Sequence, residues 1–152
     1  MEEKICLRRL QKEDLLAVAA LEALCFSRPW SENALSLLLG ESAVGFVCLA
    51  DGEVAAYGGM MLTPWDGQVT NIATHPKHRR RGYGRLVTEA LLKAAEESGA
   101  EEVSLEVRAS NAGAIALYEG LGFETAGVRK GFYQNPREDA LVMIKTLGKE
   151  KT

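Results

Sequence analysis

Five basic residues lie within nine positions of this chain, around a pair of glycines. They are Lys77, Arg79, Arg80, Arg81 and Arg85, with Gly82 and Gly84 among them and no acidic residue in the stretch. Glycines let a backbone curl so that several N–H groups point to one spot, as they do in anion-binding nests. The flanking pattern places this loop between a strand and a helix, whose N-terminal end carries a positive partial charge. The sequence therefore predicts a site for a phosphate or pyrophosphate group.

The spacing of this loop excludes two common nucleotide motifs. The dinucleotide fingerprint G-x-G-x-x-G needs a third glycine where this chain has Val87. The P-loop pattern G-x-x-x-x-G-K-S/T is absent. A solvated basic loop that ends at a glycine is the plain alternative. The functional interpretation is a phosphorylated ligand of another class.

The same loop resembles the pyrophosphate loop of the GNAT acetyltransferases. Arg79-x-x-Gly82-x-Gly84 fits the family pattern Q/R-x-x-G-x-G/A, in which the loop holds acetyl-CoA. From near residue 20 to near residue 145 the chain is also similar to one branch, the ribosomal-protein-alanine N-acetyltransferases. The matching stretches are Cys25–Glu32, Asn71–Pro76, Leu105–Asn111, Ala114–Glu119, Leu121–Phe123 and Arg137–Ala140. The loop alone indicates the superfamily, and the combination is far more selective.

The resemblance implies acetyl-CoA as the cosubstrate and no metal ion. In GNAT proteins the strand before the loop splays from its neighbour, and its main chain pairs with pantetheine. A backbone N–H of that strand can also face the thioester oxygen. The family often has valine where this chain has Thr74. The residues implied to contact the cofactor are Ile72, Ala73, Thr74, Arg79, Arg80, Arg81, Gly82, Tyr83, Gly84, Arg85, Asn111 and Tyr118.

Glu106 is the candidate general base. It lies in an alternating segment, on the face opposite Val103, Leu105 and Val107, where most carboxylates simply face solvent. An α-amine has a pKa of about 7.7–8.0, so near neutral pH much of it is ammonium and cannot attack a thioester. A carboxylate can take that proton directly or through water. The resemblance assigns this role to the glutamate of the L-E-V-R motif.

Tyr118 is the candidate acid for the leaving CoA thiolate. It follows Asn111 by seven residues, nearly two helical turns, so the two share one helix face. A core aromatic and a helix N-cap are the structural alternatives for these positions. A tyrosine pKa of about 10 against a thiol pKa of about 8.5 makes full proton transfer unfavourable by roughly 2 kcal/mol. We therefore expect Tyr118 to act mainly by hydrogen bonding to the developing thiolate.

Phe26, Pro29 and Trp30 belong to an aromatic-containing loop between two predicted helices, and Tyr133 lies in a late loop. A core plug and a surface tyrosine are the plain interpretations. The resemblance implies that the first loop helps to form the groove for a substrate's N-terminus, and Tyr133 is a further candidate for it. The implied acceptor is the N-terminal alanine of a small-subunit ribosomal protein, acetylated by direct attack in a ternary complex.

Other functions stay open at this point. A GNAT enzyme can act on a small amine or a lysine side chain, and a related module can bind acyl-CoA without catalysis. Nucleic-acid binding through residues 77–85 is the least favoured, since the patch is small and the net charge is −3. Cys6, Cys25 and Cys48 have no activating base beside them and are expected to be small buried residues. His75 and His78 are expected to be ordinary loop residues.

The composition is that of a single ordinary globular domain. The chain has 152 residues, of which 47% are hydrophobic and 26% charged. An odd number of cysteines without a C-x-x-C pair argues against a disulfide framework or a zinc knuckle. The N-terminus lacks a signal-peptide pattern, and no apolar run reaches the ~18 residues of a membrane span. We expect one cytoplasmic domain over residues 1–152, without a membrane or nucleic-acid partner.

Alternating strands and helices must position these residues. The predicted strands are Lys4–Arg9, Val44–Ala50, Val54–Leu62, Gln68–Thr74, Glu102–Arg108, Phe123–Lys130 and Asp139–Leu147. The predicted helices are Gln11–Cys25, Ser31–Leu39, a long helix after the glycine loop, and Asn111–Leu121. Asp51-Gly52 predicts a hairpin turn. The expected fold class is α/β. With the resemblance added, it is a single GNAT domain whose mixed, mostly antiparallel sheet is flanked by helices and has a central splayed strand pair.

Overall fold

The computed structural model describes residues 3–147 and contains a mixed sheet with helices on both faces. Its strands are β1 (Ile5–Arg9), β2 (Ala43–Ala50), β3 (Glu53–Leu62), β4 (Asp66–Thr74), β5 (Glu102–Arg108), β6 (Glu124–Tyr133) and β7 (Glu138–Thr146). Its helices are α1 (Leu15–Cys25), α2 (Glu32–Leu35), α3 (Tyr83–Glu97) and α4 (Ala112–Gly120). Short 3-10 turns cover Lys12–Asp14, Ser36–Leu39 and Pro76–His78. The expected fold class is confirmed.

The sheet has seven strands in the order β1-β2-β3-β4-β5-β7-β6. Only β4 and β5 run parallel, joined by the crossover through α3, and the other neighbours are antiparallel. The hairpin predicted at Asp51-Gly52 is confirmed. Both residues have positive φ, 51° and 86°, as a two-residue turn with matching twist requires.

The splayed strand pair lies at the centre of the sheet. β4 pairs with β5 only over three residues, Asp66–Gln68 against Glu102–Ser104. Beyond that point a register shift in β4 leaves Thr70 unpaired, because Asn71 opposes Gly59 and Val69 opposes Met60. A bulge of this kind bends its strand. The two strands therefore separate, and the gap between them becomes available to ligands.

Two hydrophobic cores lie on opposite faces of the sheet. Two adjacent glycines of β3 show how closely the elements on each face approach it. A Cβ on Gly58 would lie 2.6 Å from a methyl group of Val87 in α3. A Cβ on Gly59 would lie 2.5 Å from Leu38, in the turn after α2. Successive residues of a strand face opposite ways. Consequently α3 lies on one face and the α2 region lies on the other, both in close contact with the sheet.

Three elements differ in type or by more than two residues from their sequence-based predictions. The helix expected over Gln11–Cys25 begins at Leu15, after the 3-10 turn over Lys12–Asp14. The helix expected over Ser31–Leu39 is one α turn with Ser31 as its N-cap, followed by a 3-10 turn. Strand β6 continues to Tyr133 instead of ending at Lys130, so Tyr133 closes a strand and does not lie in a loop. The strand passes Gly131 through an irregular register, where the glycine has φ 61° and donates its N–H to Asp139.

The cysteines and histidines divide between interior and surface. Cys48 is buried and Cys25 is half-buried, but Cys6 on the edge strand β1 is exposed, contrary to expectation. His78 is buried, so it is not the ordinary loop residue that was expected. Within residues 3–147, no helix is both long enough and apolar enough to span a membrane.

Candidate active site

The first of two neighbouring cavities has a volume of about 630 Å³ and lies beside the glycine loop. We call it the cofactor cavity, after the predicted residues that line it. It is lined by the end of β4, the loop, the first turn of α3 and one side of α4. The predicted cofactor residues that line it are Ile72, Ala73, Thr74, Arg79, Arg80, Gly82, Tyr83, Gly84, Arg85, Asn111 and Tyr118. Its volume is within the range of ligand pockets, roughly 300–1,000 Å³.

The glycine loop is shaped to receive an anion. Gly82 has φ 83° and is the N-cap of the fifteen-residue helix α3, while Arg80 has φ 67°. A Cβ on Gly84 would lie 3.1 Å from the Thr74 hydroxyl, so the glycine lets the loop lie tightly against β4. The first N–H groups of α3 have no acceptor within the helix. The loop therefore has the shape of an anion-binding site, in agreement with the predicted phosphate or pyrophosphate group.

Arg81 lies apart from the other predicted cofactor residues. Its guanidinium forms an ion pair of 2.8 Å with Glu3, and Glu3 also accepts a hydrogen bond from the Tyr83 hydroxyl. The Tyr83 hydrogen bond, and then Arg81, hold the pKa of the Glu3 carboxyl below its usual range. Because of this ion pair, Arg81 does not line the cavity.

The second cavity has a volume of about 530 Å³ and occupies the gap between β4 and β5. The segment after α1 and the segment between β6 and β7 form its rim. Phe26, Trp30 and Tyr133, which were predicted for the acceptor groove, line it together with Glu106, so we call it the acceptor cavity. Pro29, which was also predicted for the groove, is exposed and does not line the cavity.

The two cavities share part of their walls. The residues that line both are Cys25, Phe26, Ile72, Asn111, Ala114 and Tyr118. Asn111 is the N-cap of α4 and accepts a hydrogen bond from the Ala114 N–H, so its side chain has a structural role there. The two cavities adjoin at these shared residues, so a group transferred from a ligand in one cavity to a ligand in the other must pass beside them.

Tyr118 and Glu106 differ in their surroundings. Tyr118 is 7% exposed and packs edge-on against Phe123, with ring centroids 5.8 Å apart. Burial, with a further contribution from Tyr133, raises the pKa of Tyr118 to about 12, so its hydroxyl is protonated at neutral pH. The Glu106 side chain is 32% exposed, and its Oε2 lies 3.5 Å from the Arg129 Nε.

Arg108 joins three parts of the acceptor cavity and was missed by sequence reasoning. Its guanidinium donates to the backbone oxygens of Pro136 and Gln134, at 3.0 and 3.1 Å. It forms an ion pair with Glu138 at 3.1 Å, contacts the Ser27 hydroxyl at 3.4 Å, and lies 4.5 Å from the centre of the Tyr133 ring. The alternation of β5 places Arg108 on the same face as Glu106, and this was the sequence signal that could have identified Arg108.

Glu22 is a buried carboxylate that sequence reasoning also missed. It accepts hydrogen bonds from the Trp30 backbone N–H at 2.8 Å, from the Asn71 side-chain amide at 2.8 Å and from the Tyr57 hydroxyl. Trp30 and Asn71 both line the acceptor cavity. Burial, and then Glu22, raise the pKa of Tyr57. The sequence signal that could have identified Glu22 was its position as the charged residue of the otherwise apolar helix α1, which indicates a buried polar network.

Metal chemistry finds no support in the side chains. The described part of the chain holds no group of three or more His, Cys, Asp or Glu residues that could bind a metal ion. His75 accepts a hydrogen bond from the Lys77 N–H as an N-cap. His78 lies 5.8 Å from His75, ring centre to ring centre, in an edge-on contact.

Proteins of known sequence and structure are similar to this chain over most of its length. The family model described as "Acetyltransferase (GNAT) family" matches residues 15–123. The ribosomal protein bS18-alanine N-acetyltransferase of Escherichia coli (strain K12) is 38% identical over 136 residues, which is 88% of this chain and 92% of the relative. A Bacillus subtilis (strain 168) protein provisionally given the same name is 35% identical over 149 residues, covering 97% and 99%. The crystal structure of the Escherichia coli ribosomal-protein-S18-alanine N-acetyltransferase matches with a TM-score of 0.89 at 35% identity, covering 97% of each chain.

Proposed function

The chain belongs to the GNAT acetyltransferase family, and on that premise we propose that its acceptor is the N-terminal alanine of a small-subunit ribosomal protein. The protein is an acetyl-CoA-dependent N-acetyltransferase. One observation carries the proposal. Glu106 lines only the acceptor cavity, whereas Tyr118 lines the wall that both cavities share. This arrangement separates a proton acceptor for an amine from a proton donor for a thiolate.

The cofactor cavity holds the donor through backbone and cationic groups. Acetyl-CoA supplies an activated acyl thioester. The curled loop at Gly82 and Gly84, with the N-terminal end of α3, binds its pyrophosphate. Arg79 is oriented toward the site by a hydrogen bond to the Thr74 carbonyl oxygen, at 3.2 Å. Ile72–Thr74 of β4 pair with β3 on one side, but their other side does not pair with β5, so it offers main-chain groups to the pantetheine arm.

Glu106 is the proposed general base. The acceptor arrives largely as an ammonium ion, because an α-amine has a pKa of about 7.7–8.0. The Glu106 carboxylate takes the proton, directly or through a water molecule, and the neutral amine then attacks the thioester carbon. No covalent enzyme intermediate is needed, so both substrates occupy their cavities together.

Tyr118 is the proposed donor to the leaving sulfur. Its pKa of about 12 lies further above a thiol pKa of about 8.5 than the ordinary tyrosine value does. Full transfer of its proton is correspondingly less favourable. The hydroxyl therefore acts by donating a hydrogen bond as negative charge develops on the sulfur, at a place where little solvent competes.

The proposed acceptor rests on the relatives and on the shape of the cavity. The relatives that match over most of the chain are named for the alanine of ribosomal protein bS18. Phe26, Trp30 and Tyr133 give the cavity an aromatic part, and polar residues that include Asn71 and Glu106 give it a polar part, a mixed lining that suits a short side chain beside an amine. We also propose that residues 1–152 form one domain that acts in the cytoplasm, where ribosomal proteins are made.

An acetylation assay on matched peptides tests this function. The purified protein receives acetyl-CoA and either an alanine-starting peptide from the cognate ribosomal protein or the same peptide with a blocked N-terminus and an internal lysine. We expect acetylation of the free N-terminus and none of the blocked peptide. Faster reaction at the lysine would favour the side-chain alternative, and acetyl-CoA binding without turnover would favour the non-catalytic one.

A further inference from the structure

The buried carboxylate of Glu22 fixes the orientation of its partners. Glu22 is fully buried in α1, and its three hydrogen-bond donors come from different elements. Both carboxyl oxygens of Glu22 act as acceptors, one from the Trp30 N–H and the other from Tyr57 and the nitrogen of the Asn71 side chain. The side-chain NH2 group of Asn71 must therefore face Glu22. Burial and the adjacent Glu22 raise the pKa of Tyr57, so its hydroxyl also remains a donor to this carboxylate.

The other end of the Asn71 amide is consequently an acceptor. Its Oδ1 atom lies opposite the NH2 group that Glu22 holds. Among residues 3–147, no side chain or backbone N–H donates to this oxygen. Asn71 lines the acceptor cavity, and the next residue, Ile72, lines both cavities. The Asn71 oxygen thus belongs to a residue that lines the acceptor cavity and lies next to the shared wall.

We propose that Asn71 Oδ1 accepts a hydrogen bond from the terminal nitrogen of the acceptor, and that Glu22 is the positioning residue that keeps this oxygen directed into the cavity. The inference rests on the proposed function and adds a specificity determinant to it. A neutral amine has two N–H groups and one lone pair. When Glu106 and Asn71 engage the two N–H groups, the lone pair is left to face the thioester carbon.

Exchanging the two side-chain types tests the orientation directly. In Glu22→Gln the Trp30 N–H still requires an oxygen, so the new NH2 group faces Asn71. Asn71 then turns its own oxygen toward Gln and its NH2 group toward the cavity. A donor now opposes the substrate's N–H, and we expect kcat/KM for the acceptor peptide to fall about 10- to 100-fold. The KM for acetyl-CoA should stay within about 2-fold, since neither residue lines the cofactor cavity.

The double variant Glu22→Gln/Asn71→Asp restores the arrangement with the chemical groups exchanged. The Gln NH2 group donates to one oxygen of the aspartate, and the other oxygen faces the cavity again. Most of the lost acceptor efficiency should return. Glu32→Gln, an exposed acid in α2, is the matched control and should change neither KM. Far-UV circular dichroism and thermal unfolding establish that each variant is folded.

A ligand without the amine separates positioning from general stability. Wild-type protein with CoA bound should bind an alanyl peptide more tightly than the same peptide with a propionyl group in place of alanine. Glu22→Gln should shrink that preference about 10-fold, and the double variant should restore it. A purely structural role would weaken both ligands equally and would overturn the inference.

The outcomes distinguish this inference from the function on which it rests. If wild-type protein acetylates no free N-terminus, the proposed function fails and the inference fails with it. If the wild type acetylates the peptide but Glu22→Gln leaves acceptor kinetics unchanged, or the double variant recovers nothing, only the inference is overturned. If Glu22→Gln does not fold, Asn71→Ala serves instead, and an unchanged acceptor KM in that variant overturns the inference.

Discussion

Glu106 and Tyr118, the proposed base and the proposed donor, lie in different environments. Glu106 is partly exposed and paired with Arg129, whereas Tyr118 is enclosed next to Phe123. In the proposed mechanism, Glu106 therefore returns its proton to solvent between turnovers, and Tyr118 keeps its proton throughout.

Replacing Glu106 by Gln should lower kcat/KM about 100-fold or more, because general-base catalysis contributes roughly 10²–10⁴. The remaining activity should rise with pH up to about 8, as the fraction of neutral α-amine rises. Steady-state kinetics between pH 6 and pH 9 check this. Glu119→Gln, an exposed acid near Tyr118, is the control. A residual rate that does not depend on pH would contradict the role of base.

Tyr118 should make the stability of the protein fall at alkaline pH. Its pKa is about 12 in the folded protein and about 10 in the unfolded chain, so between these values the folded state binds more protons. Its stabilising contribution is complete below pH 10 and is lost as the pH rises toward 12. Urea unfolding at pH 8 and pH 11 should show a smaller alkaline loss for Tyr118→Phe than for wild type. An identical loss would mean that the Tyr118 hydroxyl is not buried in this way.

At the scale of elements, the cavities depend on how strands end and diverge. Predicting the elements from hydrophobic alternation succeeded for most strands, and Asp51-Gly52 indicated its turn through local chemistry alone. The extension of β6 could not be predicted, because it depends on the contact between Gly131 and Asp139 of the neighbouring strand. The contacts of Arg108 likewise join segments about 26 to 81 residues away, which no local pattern records.

Replacing Arg108 by Gln should loosen the rim of the acceptor cavity. The variant loses the ion pair with Glu138 and the ring contact with Tyr133, and it holds the two rim segments together less well. We expect the KM for the acceptor peptide to rise about 10-fold, with the KM for acetyl-CoA unchanged. Lysine should rescue only part of the loss, because it cannot donate in two directions. Equal changes in both KM values would contradict a role confined to the rim.

For the molecule as a whole, the net charge of −3 is the sum of a basic loop and a more acidic remainder of the chain. The cationic loop contrasts with the rest of the chain, yet several of its residues have acidic partners. Lys77 lies near Glu53, Arg81 pairs with Glu3, and Arg85 pairs with Glu89. This pairing reduces the open positive surface and argues against nucleic-acid binding, the alternative that composition alone had left open. The ion pair with Glu3 also explains why Arg81 does not line the cofactor cavity as predicted. Glu3 lies 78 positions away in the sequence, so the local motif could not reveal this partner.

The two-faced core gives a prediction about global stability. Gly58→Ala should destabilise the protein by roughly 1–3 kcal/mol, because the added methyl group meets Val87 at 2.6 Å and Leu91 at 3.1 Å in α3. Urea unfolding measures the change. Gly120→Ala is the matched control, since its Cβ would meet no atom within 4 Å, and it should be neutral or slightly stabilising. Equal effects of the two substitutions would contradict the tight packing of α3.

The wall shared by the two cavities has a consequence for inhibitor design. A single molecule in which coenzyme A is joined covalently to an N-terminal peptide could occupy both cavities at once. Once one half is bound, the other half is held at a high effective concentration, so the joined molecule should bind roughly 100-fold or more tightly than either half. The peptide half would also carry the selectivity, because the pyrophosphate loop is common to the family and the acceptor cavity is shaped by residues of this chain.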